Sequence, residues 1–281
     1  MREINCQLIT TTIKDMCIQA NCHLPSDLQQ RITAFHQAED YSLAKDTLQV
    51  LIDNATLAKE KRMPICQDTG MVTIYITIGQ EVHIVGGSLE QAIQQGVREG
   101  YEEGYLRKSI VSDPVFDRKN TFDNTPAVIH YTLVEGERFD IQVVPKGFGS
   151  ENMSQVKMCK PSDGIEGIQA FVYDVVKSAG PNACPPMVIG VGIGGTFDKV
   201  TQLAKKAMIR TIGSNHPDER YALLEKQWLE AINGMGIGPA GYGGKTTALA
   251  LHIETFPTHI AGMPVAVSIC CHVARHTEVS L

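Results

Sequence analysis

The stretch AVIHYTLVEGERFDIQVVPKG, residues 127–147, decides the fold class. Two runs of alternating apolar and polar residues, rich in β-branched and aromatic types, flank Glu135, Gly136 and Glu137, and that pattern predicts a β-hairpin. A hairpin inside a chain that elsewhere mixes strands with helices argues for an α+β fold with a mixed sheet, rather than a doubly wound parallel one.

Upstream, MVTIYITI (Met71 to Ile78) predicts a strand, and Ser88 with Gln91 has the form of a capping box opening a helix that runs through Tyr101. The first 63 residues read as an N-terminal helical layer packed with the sheet. Leu28, Ile32 and Phe35 recur at helical spacing after Pro25 and Ser26, as do Leu43, Val50, Leu51, Leu57 and Ala58 after Asp40. Downstream, Ser162 is the expected cap of a helix whose face is Ile165, Ile168, Phe171, Val172 and Val175, with Gly180 and Pro181 as its stop. Strand, loop and helix follow in PMVIGVGIGGTFDKVTQLAKKAMIR. A helix is predicted from Asp218 to Asn233, and the tail alternates glycine turns with strands. No repeat or linker interrupts the chain, so residues 1–281 are expected to form a single domain with 1–63 mainly helical.

Composition narrows the function. The chain has 281 residues, 43% hydrophobic and 20% charged, which is ordinary for a globular protein able to bury a large core. Its net charge of -6 is spread along the chain, so no basic stripe is present to meet nucleic-acid phosphates or anionic lipid. The opening MREINCQLITTTIKDMC lacks the apolar run of a signal peptide, and no later segment approaches a membrane span. A cytoplasmic location is expected, where the eight cysteines stay reduced and are available as metal or cluster ligands.

Two glycine-rich loops raise nucleotide binding. Gly190, Gly192 and Gly195 have the spacing G-x-G-x-x-G between a strand and a helix, which keeps a dinucleotide-binding oxidoreductase as the rival reading. Against it, TIGSNHPDER further on does not read as a strand ending in a ribose-binding acid. GYGGKTT resembles a P-loop, but Pro239 stands where the motif requires its first glycine. Such loops also offer backbone N–H groups to a small carboxylate, or they only permit turns and close packing.

Cys66 in MPICQDTG, Cys184 in NACPPMVIG and Cys271 in SICCHVARH each sit at a turn or strand edge, where ligands are usually held. Their wide separation excludes a zinc knuckle or a ferredoxin-type run. Cys270 and Cys271 are adjacent in a predicted strand and must face opposite ways. Cys6, Cys17, Cys22, Cys159 and Cys270 read as packing residues.

CQDTG at 66–70, KGFGSEN at 146–152, ACPP at 183–186, GIGPAGYGGKTTA at 236–248 and HIAGMPVAVSICCHVARH at 259–276 together resemble the alpha subunit of two-subunit class I fumarate hydratases. The same likeness extends to L-tartrate dehydratase alpha subunits and to the N-terminal domain of single-chain class I fumarases. The resemblance implies that Cys66, Cys184 and Cys271 hold a 4Fe-4S cluster whose fourth iron has no protein ligand, open to a small dicarboxylate. It implies Gln67, Arg107 and Gly149 as substrate-binding positions and Asp68 and His259 as catalytic ones. Phe148 replaces a glycine frequent in the family's loop, so the amide meeting substrate is open by a residue or two. Read without the family, Asp68 caps the turn to Gly70, Arg107 is equally a solvated helix-end cation, and a lone histidine such as His259 is more often structural.

The resemblance further implies a hydro-lyase that reversibly hydrates fumarate to (S)-malate, with L-tartrate dehydration the runner-up and mesaconate hydration a further possibility. It places the catalytic base on a separate beta subunit, so a hetero-oligomer is expected, with no nucleic-acid or membrane partner.

Overall fold

The computed structural model describes residues 1–281. In chain order the elements are β1 (Arg2–Asn5), α1 (Cys6–Cys22), α2 (Ser26–Ala38), α3 (Ser42–Lys61), β2 (Met71–Gly79), β3 (Val82–Val85), α4 (Leu89–Glu103), β4 (Val128–Val134) and β5 (Phe139–Lys146). Then follow α5 (Phe148–Glu151), β6 (Gln155–Cys159), α6 (Gly164–Ala179), β7 (Met187–Gly194), α7 (Phe197–Met208), α8 (Glu219–Asn233), β8 (Ala248–Phe256), β9 (Met263–Cys270) and β10 (Thr277–Ser280). The fold is α+β with mixed sheets, as the sequence predicts. Two compact units form from interleaved segments. The first comprises Met1–Pro25, Asn54–Phe148 and Arg275–Leu281, and the second Ser26–Asp53 and Gly149–Ala274. No helix is long and apolar enough to cross a membrane.

In the first unit, the four-stranded sheet has the order β10-β5-β2-β4. The predicted hairpin does not form. β2 lies between β4 and β5, parallel to the first and antiparallel to the second. The reason is local and steric. Residues 79–81 donate in turn to the carbonyls of Arg138, Val134 and Gly136, so the turn between the two runs wraps the end of β2 instead of closing on itself. Gly79 permits this, since a Cβ there would lie 2.1 Å from the Gly136 oxygen. Ile74 and Ile76 of β2, with Ile141 and Val143 of β5, form a buried floor for α1 and α4. The helix α1 presents Ile9, Ile13 and Cys17 at helical spacing, and Gly96 and Gly100 of α4 leave room for its backbone. Ser88 does flank α4, but its side chain makes no capping bond.

In the second unit, the sheet order is β6-β9-β7-β8, with β7 parallel to β8 and antiparallel to β9. Every residue of β7 is buried, as a central strand covered on both faces requires. Ile189 and Val191 face Phe171, Val175 and Trp228 of α6 and α8. Gly190 and Gly192 face α7, whose backbone sits where their side chains would be: a Cβ would come within 2.0 Å of Ala204 O and 2.2 Å of Val200 O respectively. The cap of α6 is Asp163 rather than Ser162, while Gly180 ends the helix as expected. Asp218 caps α8 by accepting from Arg220 N.

The first 63 residues are mainly helical, with α1 in the first unit and α2 in the second. In α3 the apolar period is right and the face is not. Leu43, Val50 and Leu57 are exposed and Leu51 is half-buried; of the predicted residues Ala58 alone joins the buried stripe, with Ala44, Leu48 and Ala55. Alanines close to their neighbours outweighed the larger residues.

Candidate active site

In the first unit the loop 66–70 is pinned at both ends. Before it, Ile65 donates to Asn21 O and accepts from the Asn54 amide, both at 2.9 Å. After it, the buried Tyr101 hydroxyl donates to Thr69 O at 2.7 Å and Gly70 O at 3.1 Å, and Asn124 also donates to Gly70 O. Gly70 has φ +79°, and a Cβ there would meet the Lys146 backbone at 2.6 Å, so the loop can lie against β5 only with glycine. Cys66 and Asp68 are half-buried and Gln67 is exposed, with the Cys66 thiol donating to Gln67 Oε1 at 3.4 Å.

The Asp68 carboxylate accepts Gly70 N at 3.0 Å on one oxygen and Phe148 N at 2.8 Å on the other. It is thus the turn cap of the plain reading and a held, half-open acceptor at once. Arg107 has an exposed side chain, and its carbonyl accepts the Thr69 hydroxyl at 2.9 Å. The unit therefore brings Cys66, Gln67, Asp68 and Arg107 to one loop cluster.

In the second unit, Cys184 is exposed and left-handed (φ 51°, ψ 61°), standing between the turn Gly180–Ala183 and β7. Such a conformation costs an L-residue about 1–2 kcal/mol and concentrates at functional positions. His272 fixes it: its N–H and Nδ1 both approach Cys184 O, the latter at 3.0 Å. A carbonyl only accepts, so Nδ1 carries the proton. Cys271, half-buried just past β9, is thereby set beside Cys184, and the register pairing Val188 with Cys270 agrees. Gly149 is exposed at the same end, near Asn182 O.

His259 is elsewhere. It lies exposed in the loop joining β8 to β9, where Thr258 donates to Gly195 O at 3.0 Å. That is the far end of β7 from Cys184, separated by roughly 23 Å of strand at about 3.3 Å per residue. His259 is not brought to its own chain's Cys184 and Cys271.

No cysteine is in a disulfide, and their exposure divides them. Cys6, Cys17, Cys22, Cys159 and Cys270 are buried; Cys66, Cys184 and Cys271 are not. Burial pushes the Cys17 thiol up to about 12 and raises those of Cys22 and Cys159, so these stay protonated and poor as ligands.

Both glycine loops have structural work. Gly190 and Gly192 lie inside β7 under α7, not in a turn around a pyrophosphate. The P-loop-like segment is filled by the protein's own anion. Glu39, 2% exposed, accepts Lys245 N at 2.9 Å, the Thr246 hydroxyl at 3.3 Å and Tyr41 N at 3.2 Å.

Comparison with known proteins agrees with the rejection of a nucleotide fold. The family described as fumarate hydratase (Fumerase) matches residues 10–280. The protein named "Putative L(+)-tartrate dehydratase subunit alpha" of Methanocaldococcus jannaschii is 39% identical over 271 residues, 95% of each chain. The L(+)-tartrate dehydratase subunits alpha of Escherichia coli (strain K12) and Shigella sonnei are each 31% identical over 95% of this chain and 88% of their own. The chain belongs to the fumarate hydratase family. Its reaction class is that of a hydro-lyase, and the dinucleotide-dependent oxidoreductase is set aside.

The sequence carries no sign of a role at the site for Tyr101, Asn124, His272 and Arg275. His272 and Arg275 stand in the quoted ICCHVARH run, but nothing in their spacing tells that each holds a backbone carbonyl more than 80 residues away.

Proposed function

We propose that this chain carries a 4Fe-4S cluster on Cys66, Cys184 and Cys271 and acts as the alpha subunit of a two-subunit hydro-lyase, reversibly hydrating fumarate to (S)-malate. The observation that carries the reading is the division of the cysteines. Five are buried, and the remaining three stand on loops fixed by backbone hydrogen bonds. Three reduced thiols suit a cluster that keeps one iron without a protein ligand. When bound, that group supplies a Lewis-acidic position for a substrate carboxylate and hydroxyl.

The chain's own residues do the rest. The planar fork of Arg107 suits a carboxylate, and Gln67 on its loop and the Gly149 N–H in the turn α5 are exposed donors. Asp68 holds one N–H on each oxygen and keeps lone pairs to accept from water or the substrate hydroxyl. Hydration adds OH to one olefinic carbon and a proton to its neighbour. The base for that second transfer belongs, by the resemblance, to a beta subunit. Because His259 stands at the other end of its sheet, a proton-exchange role for it requires the site of another copy of the chain.

The names of the relatives favour a second reading, dehydration of L(+)-tartrate to oxaloacetate on the same donor set. The test is anaerobic reconstitution with iron and sulfide, then assay with and without the beta-type partner. Faster turnover of fumarate than of L-tartrate is expected. Preference for tartrate selects the second reading, and full activity without a partner removes the two-subunit part.

A further inference from the structure

Arg275 has properties that none of the roles above uses. It is 3% exposed, its Nε donates to Pro145 O at 3.2 Å and its Nη2 to Asp68 O, and its Nη1 has no partner. A guanidinium does not lose its proton in a protein, so the charge remains. Both filled positions are taken by neutral carbonyls, and the nearby Asp68 carboxylate accepts from Gly70 N and Phe148 N rather than from the guanidinium. Burying a cation without a direct ion pair is costly, and an unfilled buried donor adds to that cost. A fold holds such a group where an anion completes it.

The two carbonyls identify where that is. Asp68 lies two residues beyond Cys66. Pro145 is on the segment leading to Phe148, whose N–H donates to the Asp68 carboxylate. Arg275 thus ties together, from the backbone side, the same two segments that Asp68 joins through its side chain. In sequence it follows Cys271 by four residues.

We propose that Arg275 is a positioning residue of the site: through one carbonyl on each it ties the Cys66–Gly70 loop to the end of β5, and its open Nη1 edge is the counter-charge for the anionic group held on the thiolates. This rests on the cluster reading above. Three thiolates and four sulfides outweigh four irons in charge, so the loaded group is an anion that the open Nη1 edge can meet.

The experiment is a thermodynamic cycle on the full chain, wild type against Arg275→Met, each without cluster and after anaerobic reconstitution with iron and sulfide. Thermal midpoint, iron and sulfide content and loss of visible absorbance to a chelator are read. The rise in midpoint on loading is expected to be smaller in R275M than in wild type, and iron loss to the chelator about tenfold faster, as for other outer partners of metal sites. Equal loading gains, with both forms of the variant lowered alike, show a purely structural arginine and overturn the proposal. If R275M does not fold, Arg275→Lys carries the test, since it keeps the charge but not the fork: cluster loss between wild type and tenfold faster supports the proposal, and unchanged retention overturns it. A wild-type chain that takes up no iron and sulfide overturns the cluster reading and this proposal with it.

Discussion

The loops at 66–70 and 243–247 are built on one plan and finish differently. Each turns on glycines with positive φ, and each is fastened by a carboxylate that collects backbone N–H groups: Asp68 in the first, Glu39 in the second. Glu39 is buried and takes donors from residues 41, 245 and 246, so its anion hole is full. Asp68 is half-buried, takes one N–H per oxygen and neighbours an accessible thiol. The first arrangement has spare acceptor capacity beside solvent, and the second has none. A glycine loop with an anion hole is therefore a site only when the protein has not already filled it.

The contrast breaks most visibly at Asp68. Replacing Asp68→Asn turns one acceptor into a donor facing an N–H, either of Gly70 or of Phe148. With the proposed hydro-lyase activity as readout, kcat/KM is expected to fall by about a hundredfold or more, on the scale of losing a positioned acid–base group. Thermal stability should change little, since the carboxylate is half-open. A drop in midpoint with unchanged kcat/KM would make Asp68 a mere fastening like Glu39.

The reverse holds for Glu39→Gln. It removes a charge that accepts one buried and two part-buried donors, and charge-assisted bonds of this kind contribute about 1.5–3 kcal/mol. The midpoint measured by calorimetry should fall by roughly 4–10 °C, given about 2–4 °C per kcal/mol at this chain length. Activity per folded molecule should stay at the wild-type value; a selective loss of activity would place Glu39 in the working part of the molecule.

Acid separates the two units less strongly. His252, 2% exposed in the second unit, has its pKa lowered from 6.5 to about 4 by burial and by the Arg210 charge. The unfolded chain binds that proton first, so the stabilisation is complete above pH 6.5 and is lost as pH falls to 4, by roughly 3 kcal/mol at most. In the first unit Asp123, held at about 2 with help from Arg98, weakens only as pH falls from 3.8 through 2. Urea melts at pH 7 and 4.5 should therefore show the loss, and His252→Gln should flatten it. An equal slope in the variant would assign the acid sensitivity to other groups.

Much of the architecture was legible because local signals suffice for it. The strand at 71–79, the helix capped by Asp218 and the helix stopped at Gly180 follow from period and caps. Strand order did not, because β4 and β5 look like a hairpin until β2, some 60 residues away in sequence, takes the place between them. The buried face of α3 was hidden for a related reason: Ala44 and Ala55 are buried by what approaches them, not by their own hydrophobicity. At the candidate site, the residue types are visible in CQDTG and ICCHVARH. What escapes a reader of the sequence is the holding of that site by backbone carbonyls, which Tyr101, His272 and Arg275 grip and which carry no residue-specific signal.

The glycines in the middle of β7 set limits on redesign. With hydrogen in place of side chains at 190 and 192, the spacing between strand and helix α7 is fixed by backbone touching backbone. Neither position offers an engineer a side chain to enlarge, and the seam has no rotamers through which to absorb a change made next to it. Redesign of this enzyme scaffold has freedom in its loops and on its outer helices, while the thickness of the second unit at that point is a constant.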